Sequence, residues 1–206
     1  MNMPAKPPRS QPDDWNDCYV NGFLPWDSGI IDRDLQRTLD AGEVAPRTVL
    51  ELGCGSGTNA VYLAQRGFTV TAVDFAPTAI EQAEAKARAA GVNVQFLCED
   101  VTRLDALGEP FDFVFDRGCY HSLRRAGQLS GYLKTVERLT QTGSKLLVLA
   151  GNPDANEAGG PPRVQASELC GDFEKAFALL RLSAMRFEDA GHVDGPLGWS
   201  ALFVCR

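Results

Sequence analysis

The stretch Val49-Leu50-Glu51-Leu52-Gly53-Cys54-Gly55-Ser56-Gly57-Thr58 constrains the chain most. A short apolar run stops at glycines on alternate positions, and a helix-forming run follows. In an α/β sheet, a strand that ends in a glycine-rich turn and enters a helix leaves room for a nucleotide-like ligand. Glycine lets the backbone turn sharply and approach a ligand with no Cβ in the way. The helix beyond offers N–H groups without intrahelical partners. The spacing is G-x-G-x-G, not the G-x-G-x-x-G of a dinucleotide fingerprint. Glu51, two residues ahead of the first glycine, would repel a pyrophosphate and suits a cationic amino-acid end.

Hydrophobic periodicity sets alternating elements around that turn. Strands are expected over 47–52, 68–73, 92–98, 111–116 and 145–150, then over 177–187 and 199–205 with a Gly-rich turn between them. Helices are expected over 30–42, 59–65, 77–90, 129–139 and 166–173, with a short one over 102–107. Pro77 suits the first turn of its helix, Gly42, Gly67 and Gly91 close theirs, and Pro46 marks a linker. Such alternation makes a doubly wound α/β sheet, here closed by an antiparallel hairpin at one edge. Residues 151–163, rich in Gly, Pro and Asn, read as a mobile loop.

With 206 residues the chain is the size of one ordinary domain with a sizeable core. Residues 1–14, with four prolines among polar residues, read as a disordered tail, and 15–206 as the single domain. Trp15, Tyr19, Phe23 and Trp26 recur every three or four residues, as one face of a short helix or turn. Two readings stand for the segment 15–42: an element docked on the domain, or a lid over the ligand site carried by Pro25-Trp26-Asp27-Ser28-Gly29. A net charge of -7 argues against nucleic acid and against an anionic membrane surface as partners. No run approaches the ~18–20 apolar residues of a membrane span, and the N-terminus lacks the apolar core of a signal peptide, so the cytoplasm is expected. The six cysteines are scattered without a C-x-x-C pair, which fits neither a zinc site nor a disulfide framework. They read as reduced thiols, with Cys98 and Cys205 as small core residues, and no metal is expected.

Acidic residues follow successive strands. Asp74 ends the second, and Asp100 follows the third. The carboxyl ends of the strands line one crevice in this topology. Asp74 is placed for the two hydroxyls of a ribose, and Asp100 for an exocyclic amine. A charge-assisted hydrogen bond of this kind contributes roughly 1.5–3 kcal/mol.

The stretches 51–58, Ala72-Val73-Asp74-Phe75-Ala76-Pro77-Thr78-Ala79-Ile80, Glu99-Asp100-Val101 and Phe111-Asp112-Phe113-Val114-Phe115-Asp116 resemble the four ordered motifs of class I S-adenosylmethionine-dependent methyltransferases. The resemblance implies a Rossmann-like seven-stranded sheet, mostly parallel with an antiparallel last strand. It implies S-adenosylmethionine as cofactor and S-adenosylhomocysteine as product. Gly53, Cys54, Gly55 and Gly57 would contact the methionine part with Glu51, Asp74 the ribose, Phe75 the adenine face, and Asp100 and Val101 the adenine edge. Pro25-Trp26-Asp27-x-Gly29 and Asp116-Arg117-Gly118-Cys119-Tyr120-His121 are similar to the thiopurine and thiol methyltransferase type, in which the Trp-Asp segment closes over the cofactor. Ile30-Ile31 stand where that group often carries proline. The implied partner is a small-molecule acceptor, thiol or aromatic, and the implied state monomer or dimer.

At the acceptor end, His121 has two readings: a general base, or a residue that caps the next helix and lines the pocket. Asp116 either serves catalysis by anchoring the sulfonium region or the substrate, or is a strand-end carboxylate satisfied by backbone N–H groups. Arg117 pairs with Asp116 or meets an anionic substrate, and Tyr120 forms pocket wall. Trp26 either offers its ring face to the sulfonium, a contact of ~0.5–2 kcal/mol, or packs the N-terminal segment. His192, in the last hairpin loop, reads as inert, and Cys119 is a better candidate for a reactive thiol than Cys54. Two rivals remain: a nicotinamide-dependent oxidoreductase, and a non-catalytic S-adenosylmethionine-binding module.

Overall fold

The computed structural model describes residues 12–45, 47–104, 107–155, 160–188 and 195–206. Strand β1 (Thr48–Leu52) is apolar on both sides because helices cover both faces of the sheet: Leu50 and Leu52 enter one core and Val49 the other. The same alternation runs through β4 (Phe111–Arg117) and β5 (Thr140–Gly151), with Val114, Leu146 and Val148 on one face and Phe113, Phe115, Leu147 and Leu149 on the other. Together with β2 (Thr69–Asp74), β3 (Val94–Cys98), β6 (Phe177–Arg186) and β7 (Leu197–Cys205), these form a seven-stranded sheet in the order β3-β2-β1-β4-β5-β7-β6. β3, β2, β1, β4 and β5 run parallel, and β7 inserts antiparallel between β5 and β6. The expected antiparallel last strand is present.

Helices α2 (Arg33–Asp40), α3 (Thr58–Gln65) and α4 (Pro77–Ala90) cover one face, and α5 (Cys119–Arg125), α6 (Leu129–Arg138) and α7 (Ala166–Phe173) the other. Helix α1 (Pro12–Asn21) lies against the start of α4, where Thr78 N–H donates to Asn16 Oδ1 at 3.1 Å. The chain leaves β1 toward β2 on one side and later lays β4 on the other. This switch point opens a crevice beyond the carboxyl ends of β1 and β4, and both glycine turns, 53–57 and Gly118, stand there.

Several expectations are corrected. Pro12 already belongs to α1, so the tail does not extend to residue 14; residues 1–11 lie outside the described residues. No helix forms at 102: the side chain of Asp100 accepts from Thr102 N and Oγ1 at 2.8 and 2.7 Å and folds the chain into a turn, and 105–106 lie outside the described residues. Cys98 is exposed on edge strand β3, and Cys205 is only partly buried. Helix α5 is an addition to the expected elements. Pro46, His192 and part of the 151–163 loop lie outside the described residues, but Val164 N–H donates to Gly151 O at 2.9 Å, tying down the loop's far end. Among the described residues no helix is long and apolar enough to cross a membrane.

Gly57 has φ +76°, and a Cβ there would lie 2.7 Å from Ala83 Cβ on α4. Gly57→Ala is expected to cost about 1–3 kcal/mol through overpacking and the left-handed backbone. A urea titration should show the lowered midpoint; an unchanged midpoint would mean that α4 gives way freely.

Candidate active site

Gly53 and Cys54 both donate their N–H to Val73 O, at 2.8 and 3.0 Å, which stops β1 and lifts the turn over the end of β2. Asp74 then binds the turn from below: Oδ2 accepts from Gly55 N at 2.9 Å and Oδ1 from Ala76 N at 3.0 Å. Gly55, at φ +54°, has no room for a Cβ, which would sit 2.6 Å from the Tyr19 hydroxyl. Lys86 reaches across from α4 to donate to Ser56 Oγ and Thr58 Oγ1 at 2.7 and 2.6 Å, and burial lowers its pKa. Gly57, expected beside a ligand, instead packs on α4 and is not part of the cavity wall.

A cavity of about 280 Å³ lies over this turn. Its acidic half carries Asp27, Glu51, Asp74 and Asp100, with Phe75 and Val101 beside them. Glu51 is 2% exposed and its Oε2 has no hydrogen-bond partner among the described residues. Burial, reinforced by Asp74, pushes its carboxyl well above the usual carboxylate range. Asp27 Oδ2 accepts from Ser56 N at 3.2 Å, so the N-terminal segment touches the glycine turn directly. Trp26 lines the cavity, donates from Nε1 to the Tyr19 hydroxyl at 3.3 Å and meets the ring of Trp15 edge-on at 5.1 Å between centroids. Phe23 is 45% exposed. Cys54 lines the cavity as a neutral thiol, because burial and Asp74 raise its pKa.

The segment is held by Arg117. Its Nε donates to Asp32 Oδ2, one Nη to Trp26 O and the other to Glu188 O, each at 3.0 Å. Its partner is therefore Asp32 and not Asp116. Asp32 is fully buried; its Oδ1 caps α2 by accepting from Asp34 N and Leu35 N, and its own N–H donates to Asn59 Oδ1.

Asp116 does not line the cavity. It is fully buried, accepts from Cys119 N, Tyr120 N and the Tyr132 hydroxyl, and so caps α5 from inside β4. Burial lifts its pKa to about 7 against those hydrogen bonds. Tyr120 also turns into the interior, where its hydroxyl donates to Asp172 Oδ2 at 2.6 Å, so it is not pocket wall. His121 does line the cavity: Nδ1 accepts from Gly151 N at 3.1 Å, which leaves the ring proton on Nε2. Burial, with Arg117 and Arg125 nearby, lowers its pKa to about 3. Cys119 lines the cavity, and burial and Asp116 keep its thiol protonated.

The sequence model of the Thiopurine S-methyltransferase family matches residues 10–194. The chain belongs to that family. It is an S-adenosylmethionine-dependent methyltransferase, and the oxidoreductase alternative falls away. A 2-heptyl-1-hydroxyquinolin-4(1H)-one methyltransferase of Mycobacteroides abscessus is 29% identical over 177 residues, 81% of this chain and 77% of the relative. A probable thiol methyltransferase 2 of Arabidopsis thaliana is 26% identical over 88% of this chain and 79% of its own. A structure solved for the conversion of a disulfide bond into a thioacetal group during echinomycin biosynthesis superposes with TM-score 0.80 at 23% identity, covering 94% of this chain and 91% of the other. That likeness bears on the fold.

The methyltransferase cofactor fits the acidic half of the cavity. An unpartnered, buried Glu51 oxygen waits for a donor, and four carboxylates suit the ammonium and sulfonium charges of the cofactor. The sequence reading passed over Asp32, Asn59 and Arg125. Asp32 had a signal, since Asp32 directly before Arg33-Asp34-Leu35 is an N-cap pattern. Asn59 and Arg125 had none.

His121 has a lower pKa folded than unfolded, so the unfolded chain takes up a proton that the folded one refuses. Stability is lost as the pH falls below the ordinary value of 6.5 toward about 3. Relative to His121→Gln, the protein should lose up to about 1.4 kcal/mol per pH unit across that window. Paired urea titrations from pH 6.5 downward check this, and parallel curves would contradict it.

Proposed function

We propose that the cavity holds S-adenosylmethionine in its acidic half and a small thiol or aromatic acceptor against α5. Bound there, the cofactor supplies a methyl group on a sulfonium, open to in-line displacement. Glu51 would accept from the cofactor ammonium, and the attraction would draw off the proton that burial leaves on its carboxyl. Asp74 keeps free lone pairs beyond those used by Gly55 and Ala76, and these would take the ribose hydroxyls. Phe75 and Val101 would flank the adenine, and Asp100 its amine. Gly53 and Gly55 let Cys119 and the Tyr19 hydroxyl close on the turn, where a Cβ would lie 2.7 and 2.6 Å from them.

The segment carrying Trp15, Tyr19, Trp26 and Asp27 would act as the lid. It is fastened by Arg117 at its far end and by Ser56 at the turn, which is where a cover must be anchored to exclude water. Orientation in a dry site supplies roughly 7–11 kcal/mol of barrier reduction, and an intrinsically reactive donor asks little more. Three of the five N–H donors of Arg117 are bonded to the fold, so it would position the lid.

The observation that carries this reading is the unpartnered Glu51 oxygen beside the glycine turn. Calorimetry with S-adenosylhomocysteine tests it, with NAD as control; binding of NAD alone would sink it. Asp74→Ala should weaken S-adenosylhomocysteine by tenfold or more through lost charge-assisted hydrogen bonds. Glu51→Gln should weaken S-adenosylhomocysteine but leave 5′-methylthioadenosine, which lacks the amino-acid tail, unchanged; equal losses for both would move Glu51 away from the ammonium. A screen of thiols, phenols and amines with labelled cofactor identifies the acceptor class, and binding without any transfer favours a non-catalytic module.

A further inference from the structure

Helix α4 meets the glycine turn at two points, one helical turn apart. Ala83 fills the space that a Cβ on Gly57 would need. Lys86, three residues on and therefore on the same side of the helix, donates to Ser56 Oγ at 2.7 Å and to Thr58 Oγ1 at 2.6 Å. These two hydroxyls flank Gly57. Ser56 is buried, and its N–H donates to Asp27 Oδ2 at 3.2 Å, the one hydrogen bond to the Asp27 carboxylate among the described residues. A continuous path runs from α4 through Ser56 to the segment that carries Trp26 and Asp27. The same helix holds that segment at its other end, where Thr78 N–H in the first turn of α4 donates to Asn16 Oδ1 at 3.1 Å. Residues 16 and 27 are thus both registered on α4, the first directly and the second by way of Lys86.

A cation is unfavourable at this place on two counts. Lys86 touches the first residue of α3, where free N–H groups and the helix dipole favour an anion. It is also half-buried, and desolvation lowers its pKa, against the pull of the Asp27 and Glu51 carboxylates and the Cys54 thiol. Stability of the helix start alone would be served by a hydroxyl or carboxylate at the N-cap. Instead α3 begins at left-handed Gly57, with no side-chain cap and no acidic residue in its first turn. A residue that breaks a local rule in this way points to a role at the site. Lysine has three donors on one rotatable head, and two of them clamp the chain on either side of the residue that turns it.

We infer that Lys86 is a positioning residue for methyl transfer: by clamping Ser56 and Thr58 it fixes the Ser56 N–H on which Asp27 rests, and so sets where Trp26 and Asp27 stand over the acidic half of the cavity. Its effect on the cofactor rests on the reading above. Lys86 does not line the cavity, so it acts through the turn and through the N-terminal segment. Without the clamp, the Ser56 N–H is free to swing about Gly57, and Asp27 loses the partner that holds it. The turn and the segment then no longer close on a ligand as one unit.

Two measurements test this, one of them without any ligand. Trp15, Trp26 and Trp199 are the three tryptophans of the chain, so in a Trp199→Phe background the indole emission comes from the N-terminal segment. Lys86→Met keeps the aliphatic stem and removes the charge and the donors. It should shift that emission to longer wavelength and raise its quenching by acrylamide, and Lys86→Arg should return most of both. Ser56→Ala, which removes only the clamped hydroxyl, should give a smaller shift in the same direction and serves should Lys86→Met fail to fold. Emission and quenching unchanged in these variants overturn the proposal. In calorimetry Lys86→Met should bind S-adenosylhomocysteine about tenfold more weakly, and Lys86→Arg should recover part of the loss. Adding Ser56→Ala to Lys86→Met should cost nothing further, because the partner of that hydroxyl is already gone. A full additional loss means that Lys86 does not act through Ser56. A urea midpoint that falls while affinity holds makes Lys86 a residue of stability alone and also overturns the proposal. Failure of the unaltered protein to bind S-adenosylhomocysteine defeats the methyl-transfer reading separately, and the emission measurement still decides the clamp.

Discussion

Arg117 ties together three parts of the chain. From the last residue of β4 it donates to buried Asp32, to the backbone of Trp26 and to the backbone of Glu188 beyond β6. The cost of burying a guanidinium and a carboxylate is offset by the three hydrogen bonds Arg117 donates and, for Asp32, by the α2 cap as well. Such a pair adds little net stability. What it fixes is position: the N-terminal segment crosses the mouth of the cavity at one place, and Asp27 and Trp26 arrive over the glycine turn. Removing either partner would strand a buried charge, so the N-terminal segment, the α2 cap and the end of the closing hairpin share one dependence.

The cavity divides by chemistry along the sheet's switch point. On the β1–β2 side carboxylates gather, and burial raises the pKa of Glu51 and Asp74. Such a pocket stores unfavourable free energy that a cationic ligand relieves. On the β4–α5 side the charged groups are the cations Arg117 and Arg125, and the lining around them is a mixture of apolar side chains with Cys119, His121, Ser122 and Gln128. The two halves touch where Gly53 passes Cys119, a contact too close for any Cβ.

Much of the fold was legible in the sequence, and the misses have physical causes. Strand and helix patterns located the sheet because its central strands are buried on both faces and its helices carry one apolar stripe. Helix α5 escaped notice because Gly118, not a capping side chain, stands at its N-cap; the capping carboxylate is Asp116, still inside β4. The turn at Asp100 competed successfully with a helix because an Asp side chain bonds its own downstream backbone. Cys98 looks like core in a strand pattern, yet β3 is an edge strand, and only the strand order reveals that.

The sequence by itself determined the glycine turn and the carboxylates beside it. Gly53, Gly55, Glu51 and Asp74 are local to two strand ends, and their chemistry follows from spacing along the chain. The acceptor end was decided by tertiary structure. Whether Asp116 faces a ligand or a helix, which partner Arg117 takes and which nitrogen of His121 bears the proton all depend on Asp32, Tyr132 and Gly151, residues 85, 16 and 30 positions away. Contacts at that separation leave no periodic trace in a sequence, because they are fixed by how the strands are ordered and not by what each strand contains.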